Sequence, residues 1–206
     1  MTTQLNTDTE LSAVNSILGS IGQSPITSLT TGNALQNPEV ALIHNLLMEC
    51  TKDVQNEGWH FNREEHVARS PDASGHFTIP TNYLRFDVHE GQSDRNKDVV
   101  KRQGKLYDNV AHTDVFTGEL YFDITYLFDF EDVPSPIQRY IIAKAAVRSA
   151  AQIVSNENLV QLLQLQEQQA KATALDYDCD QGDHTYFGFP HESNYRSYQP
   201  FKALIR

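Results

Sequence analysis

The chain has 206 residues, with 27 acidic and 16 basic side chains and a formal net charge of −11. Its apolar fraction of 39% and aromatic fraction of 10% are enough for the core of one domain or two small ones. A pI near 5.0 and a mean hydropathy of −0.48 argue against general adhesion to nucleic acid, because affinity for phosphates comes from Lys and Arg that displace counterions.

No apolar run approaches the roughly 18 residues of a membrane span. The opening MTTQLNTDTE lacks the basic start and apolar stretch of a secretory signal. The sequence therefore predicts a protein that stays in the compartment where it is made, with no membrane partner. Cys50 and Cys179 make neither a disulfide framework nor a metal quartet, and a reducing cytosol is the simplest setting.

Thr7 and Glu10 have capping-box spacing, and Leu11, Val14, Leu18 and Ile21 then share one face, so a first helix is expected over about 10–21 with Gly22 as its left-handed cap. After a turn-rich stretch, Asn37 and Pro38 open a second helix over about 38–57. Val40, Ile43, Leu47, Cys50 and Val54 form its stripe, and Gly58 ends it.

The period then changes. Trp59 and Phe61 alternate, Leu84, Phe86 and Val88 alternate, and two short strands flank Gln103-Gly104 as a hairpin. In LYFDITYLFDF, Leu120, Phe122, Ile124, Tyr126, Phe128 and Phe130 share one face of the clearest strand, giving a β region over about 59–130.

Ser135, Pro136 and Gln138 read as the N-cap, N1 and N3 of a third helix with the stripe Tyr140, Ala143, Val147, Ala150 and Val154. Its other sides are also rich in Ala and Ile, so burial on several sides is expected. A fourth, long helix follows Ser155-Asn156, and its apolar character fades from Leu159, Leu162 and Leu163 into Gln and Ala. Such a helix is either solvated or packed on another chain's polar surface.

The expected fold is α+β: a four-helix bundle from the two chain ends, an inserted antiparallel β region and an extended C-terminal tail. Its divisions are 1–58 and 134–181 for the helices, 59–133 for the β insertion and 182–206 for the tail.

Catalytic and metal signatures are scarce. GxSxG, Walker A, dinucleotide GxGxxG and CxxC are all missing. Asp176, Asp178 and Asp180 imitate positions 1, 3 and 5 of a calcium loop, but Gln181 and Phe187 stand where Gly and a bidentate Glu are needed. A solvated acidic helix end is the simpler reading, and no metal or cofactor is expected. His60 and His66 lack the i,i+4 spacing of a helical zinc site. Pairs such as Glu64 with Glu65, or Asp129 with Glu131, leave a glycosidase open as an alternative.

Two stretches read as partner surfaces. Arg95, Lys97, Lys101, Arg102 and Lys105 form a concentrated basic segment suited to an acidic partner, including a second copy, or else a solvated hairpin tip. The tail holds Tyr186, Phe187, Phe189, Tyr195, Arg196, Tyr198, Phe201 and Arg206, a composition too aromatic for a free segment. It fits docking on another surface or folding back on its own bundle. Arg148, on the third helix, joins the candidate interface residues.

The segments LSAVNSILGSIGQSPITSL, EGWHFNREE, GKLYD, DVPSPIQRYIIAKAA and ALIR resemble the tail tubular protein A family of short-tailed podovirus and autographivirus bacteriophages. The match runs in order over about 10–181 and is weakest at 90–98. The resemblance implies a virion head-to-tail adaptor that carries no catalytic residues over. It implies a homo-oligomeric ring, commonly of twelve subunits, between the portal protein and the nozzle (tail tubular protein B), with tail fibres near the junction and DNA passing through the lumen unbound. The rival reading is a virion-associated hydrolase of capsule or peptidoglycan, and a third is a small cytosolic scaffold with no virion role.

Overall fold

The computed structural model describes residues 8–29, 37–89 and 97–182. These residues are mixed helix and antiparallel sheet, an α+β arrangement with two separate apolar cores.

Helix α1 spans Glu10–Ser20 and buries Ala13, Val14, Ile17 and Leu18. Its N-cap is Thr9, whose hydroxyl accepts the Ser12 N–H, so Glu10 opens the helix instead of closing a box with Thr7, which lies outside the described residues. Gly22, at φ +79°, completes the C-terminal cap, with Gln23 N–H donating back to Leu18 O at 2.9 Å. The predicted face is rotated: Leu11 and Ile21 are only half-buried.

Helix α2, Pro38–Gln55, follows the sequence closely. Asn37 accepts the Glu39 N–H, and Val40, Ile43, Leu47, Cys50 and Val54 are all buried.

Helix α3, Ser135–Ser149, is the hub on which α1, α2 and α4 (Glu157–Gly182) all pack. Ile137, Ile141, Ile142, Ala145 and Ala146 are buried around its circumference, and the small residues let neighbouring helices approach. The predicted cap is corrected here. Pro134, whose ring has no acceptor to offer, is the N-cap, and Gln138 turns inward and donates to Phe130 O at 2.7 Å. The predicted stripe also gives way: the buried side carries Ile137, Ile141, Ile142 and Ala145, so Ala143 and Val147 are only half-covered and Val154 is exposed. A π-turn over Ala150–Val154 and left-handed Ser155 (φ 52°) redirect the chain into α4.

Strands β1 (Arg63–Arg69), β2 (Tyr83–Val88) and β5 (Leu120–Tyr126) form a sheet in the order β1-β5-β2, and β3 (Val99–Arg102) pairs with β4 (Lys105–Asp108). A bulge between Glu64 and Val67 puts His66 at φ 60°. Gln103 and Gly104 have φ 51° and 77°, as a two-residue hairpin turn requires. The sheet and hairpin enclose Phe77, Val88, Leu106, Leu120, Phe122 and Ile124.

Two aromatic assignments change. Trp59 and Phe61 do not alternate in a strand: His60–Asn62 is a 3-10 turn, and Trp59 is buried in the helical core with its indole N–H on Val54 O at 2.7 Å. The β5 strand ends at Tyr126, so Phe128 faces solvent and Phe130 enters the helical core.

The joint between the layers is built from side-chain amides. Asn62 donates to Gln55 O and Tyr126 O, both at 2.9 Å, and accepts the Trp59 N–H. Asp178 in α4 accepts the His60 N–H at 2.7 Å. These four hydrogen bonds tie the 59–62 turn to α2, β5 and α4.

Candidate interaction surfaces

The described residues present surfaces rather than an enclosed reaction site. A cleft of about 370 Å³ in the β unit has an apolar floor that includes Phe77, Phe86, Leu106 and Phe122. Its lining holds one carboxylate, Asp72, whose Oδ1 accepts the Ser74 and His76 N–H groups at 2.8 Å. The His76 amide contributes most to keeping that carboxyl below its ordinary range. The carboxylate pairs named from sequence lie elsewhere: Glu65 is paired with Arg63 at 2.9 Å, and Asp129 and Glu131 are exposed. No group of three His, Cys, Asp or Glu side chains among the described residues is placed to hold a metal ion. Asp176, Asp178 and Asp180 sit on helix α4, where alternate positions point in divergent directions instead of around one ion.

The outer face of α4 is the first surface. Its 26 residues bury only Leu163, Ala174 and Gly182. Leu165 is 64% exposed and Leu162 55%, and Leu175 is also open to solvent, amid Gln161, Gln168, Gln169 and Ala172. The inner face is fixed by ion pairs: Glu57, just past α2, lies 3.7 Å from Lys144 on α3 and 3.6 Å from Lys171 on α4. The Tyr140 hydroxyl donates to the same carboxylate at 3.3 Å, and burial, reinforced by the Glu57 charge, raises its pKa well above the usual phenol range.

The second surface is the basic hairpin. Lys101, Arg102 and Lys105 are exposed around the turn, and Lys97 precedes β3. The Arg102 guanidinium lies 3.9 Å from the Tyr107 ring centroid and donates to Asn109 at 3.3 Å. Arg148 is far from this group in kind: its Nη2 meets Asp53 Oδ2 at 2.6 Å, joining α3 to α2 within the chain. Arg95, Tyr186, Phe187, Phe189, Tyr195, Arg196, Tyr198, Phe201 and Arg206 lie outside the described residues.

A third surface was not assigned from the sequence: the row of rings Phe61, Phe128, Tyr126 and Tyr83 across the joint. The alternation through YLFDF is its sequence signal, although the strand expected there stops at Tyr126.

A family model described as tail tubular protein matches residues 11–184. The chain belongs to the tail tubular protein family. Over 148 residues it is 28% identical to tail tubular protein A of Klebsiella phage KP34, covering 72% of this chain and 73% of that protein. Membership of the tail tubular protein family makes it a phage tail structural protein, as the colinear segments read in the sequence imply. Among the described residues no helix is long and apolar enough to cross a membrane.

Proposed function

We propose that this chain is the ring-forming head-to-tail adaptor of a short-tailed phage, seated between portal and nozzle and lining part of the DNA ejection channel, with tail fibres near the adaptor–nozzle junction. The observation that carries this reading is the outer face of α4, where three leucines stand exposed on a helix that strong helix formers and one buried side keep straight. A closed ring needs heterologous contacts between unlike surfaces of neighbouring copies, and a helix face that mixes exposed leucines with glutamines is suited to one side of such a contact.

In this reading the helices of 1–58 and 134–181 act as one four-helix wedge, and twelve wedges close the ring. The β insertion, 59–133, presents its hairpin lysines and arginines to the nozzle, a fibre or a neighbour, while the tail, 182–206, reaches the portal or the next copy. The role is structural and uses no catalytic residue or cofactor. The net charge of −11 favours an acidic lumen, which repels phosphates and lets DNA slide past without counterion-release binding.

Native mass spectrometry of this protein mixed with the portal protein of the same genome tests the reading. A discrete portal complex carrying one ring of this chain is expected. Two proteins that stay separate at micromolar concentration would overturn it and bring the glycan-hydrolase assay forward.

A further inference from the structure

Phe61, Phe128, Tyr126 and Tyr83 form a ladder with ring centroids 6.0, 6.2 and 5.2 Å apart. Arg69 extends it by donating to the Tyr83 hydroxyl at 3.3 Å. Phe128 is 37% exposed and the other three rings are half-buried, so each ring keeps part of its surface in solvent. Tyr, Phe and Arg in one partly desolvated row have the composition of an anchoring surface.

Where α4 ends points to the occupant. Asp178 is hydrogen-bonded to the backbone of His60, the residue next to the first ring of the ladder, and Gly182 lies one helical turn further on. Residues 183–206, 24 in number and outside the described residues, therefore begin close to the Phe61 end. Their first seven positions include Tyr186, Phe187 and Phe189. A chain of that length spans up to about 80 Å when extended, whereas about five residues in extended conformation match the ladder. Tethering so close gives an effective concentration in the millimolar range, above that of any second copy free in solution.

We propose that the ladder is the cradle of the chain's own C-terminal segment, which seats Tyr186, Phe187 and Phe189 against Phe61, Phe128 and Tyr126 in the free subunit. Occupied in this way, the segment is withheld from other copies until a competing surface displaces it. The docking does not depend on the adaptor role.

The test is photo-cross-linking of the full-length isolated protein with Phe128 replaced by p-benzoylphenylalanine, in an equal mixture of light and nitrogen-15 chains. The expected products join position 128 to peptides from 183–206 and are wholly light or wholly heavy. Mixed-isotope products would overturn the proposal by making a second copy the occupant. Cross-links elsewhere, or none, would overturn the cradle itself. The triple change Tyr186→Ala, Phe187→Ala, Phe189→Ala leaves every described contact in place, so it separates folding from docking. It should abolish the cross-links from position 128 to 183–206, and undiminished cross-linking would also overturn the proposal. With no portal protein present, either result leaves the adaptor reading standing or falling on its own test.

Discussion

The side-chain amide of Gln55 closes on both backbone groups of Phe128: its Nε2 donates to the carbonyl at 2.9 Å and its Oε1 accepts the N–H at 2.8 Å. This reciprocal pair ties the last residue of α2 to the segment leaving β5, and Gln55 is fully buried. Replacing it by Leu removes both partners and leaves two backbone groups unpaired. The expected cost is about 2–4 kcal/mol. Urea unfolding of Gln55→Leu measures it, and a loss below about 1 kcal/mol would show that water substitutes for the amide.

Leu18 is 2% exposed and faces the helical core. A carboxylate there must lose its hydration or stay out of the core, so Leu18→Asp should prevent the subunit from folding. Circular dichroism and soluble yield report this directly. A stable Leu18→Asp protein that still forms rings would reject the assignment of that face.

Leu165 lends itself to the opposite experiment. At 64% exposure it contributes little to the subunit's own core, so Leu165→Glu should change stability by no more than about 0.5 kcal/mol. In the proposed ring the same charge would be buried at a neighbour's surface, and assembly should fail. Paired thermal melts and native mass spectrometry decide between a contact surface and a merely solvated face.

Gln103 holds φ 51° in the hairpin turn, where a non-glycine side chain is strained. Asn tolerates that region better, so Gln103→Asn should stabilise the protein by about 0.5–1 kcal/mol. A decrease measured by chemical denaturation would mean the Gln side chain does more than occupy a turn.

Burial pushes the Cys50 thiol from 9.0 up to about 11, against the lowering influence of Arg148 and Lys144. Between those values the folded chain keeps a proton that the unfolded chain releases, so this group's contribution to stability is intact below about pH 9 and falls as pH rises toward 11. At pH 8 a thiol reagent should modify only exposed Cys179 in the native protein and both cysteines after denaturation. Two rapid native reactions would contradict the packing around Cys50.

Sequence periodicity revealed α2 because its caps, stripe and terminal glycine agree. It located the 103–104 turn because few residue pairs favour that geometry. It misread the start of α3, where Gln138 serves Phe130 instead of a helix cap, and the face of α3, where Ile137, Ile141 and Ala145 are buried while Arg139, Ala143 and Val147 stay partly open. Trp59 and Phe61 were too short a pattern to separate strand from 3-10 turn. For the surfaces, the fading stripe of α4 was visible in the chain, and so was the family. The tie from Asp178 to His60 was not, because residues 118 positions apart leave no local trace.

The helical core draws on residues from Ala13 to Ala174, whereas the β core is complete by Ile124. On a translating ribosome this orders events. The sheet can close while the apolar faces of α1 and α2 still wait for α3, whose first buried residue is Ile137. At about 5–20 residues per second, the stretch between Gln55 and Ile137 keeps those faces unsatisfied for roughly 4–16 s. Synthesis itself therefore sets when the subunit becomes competent to meet another, and a slow codon run before α3 would lengthen its exposure to aggregation.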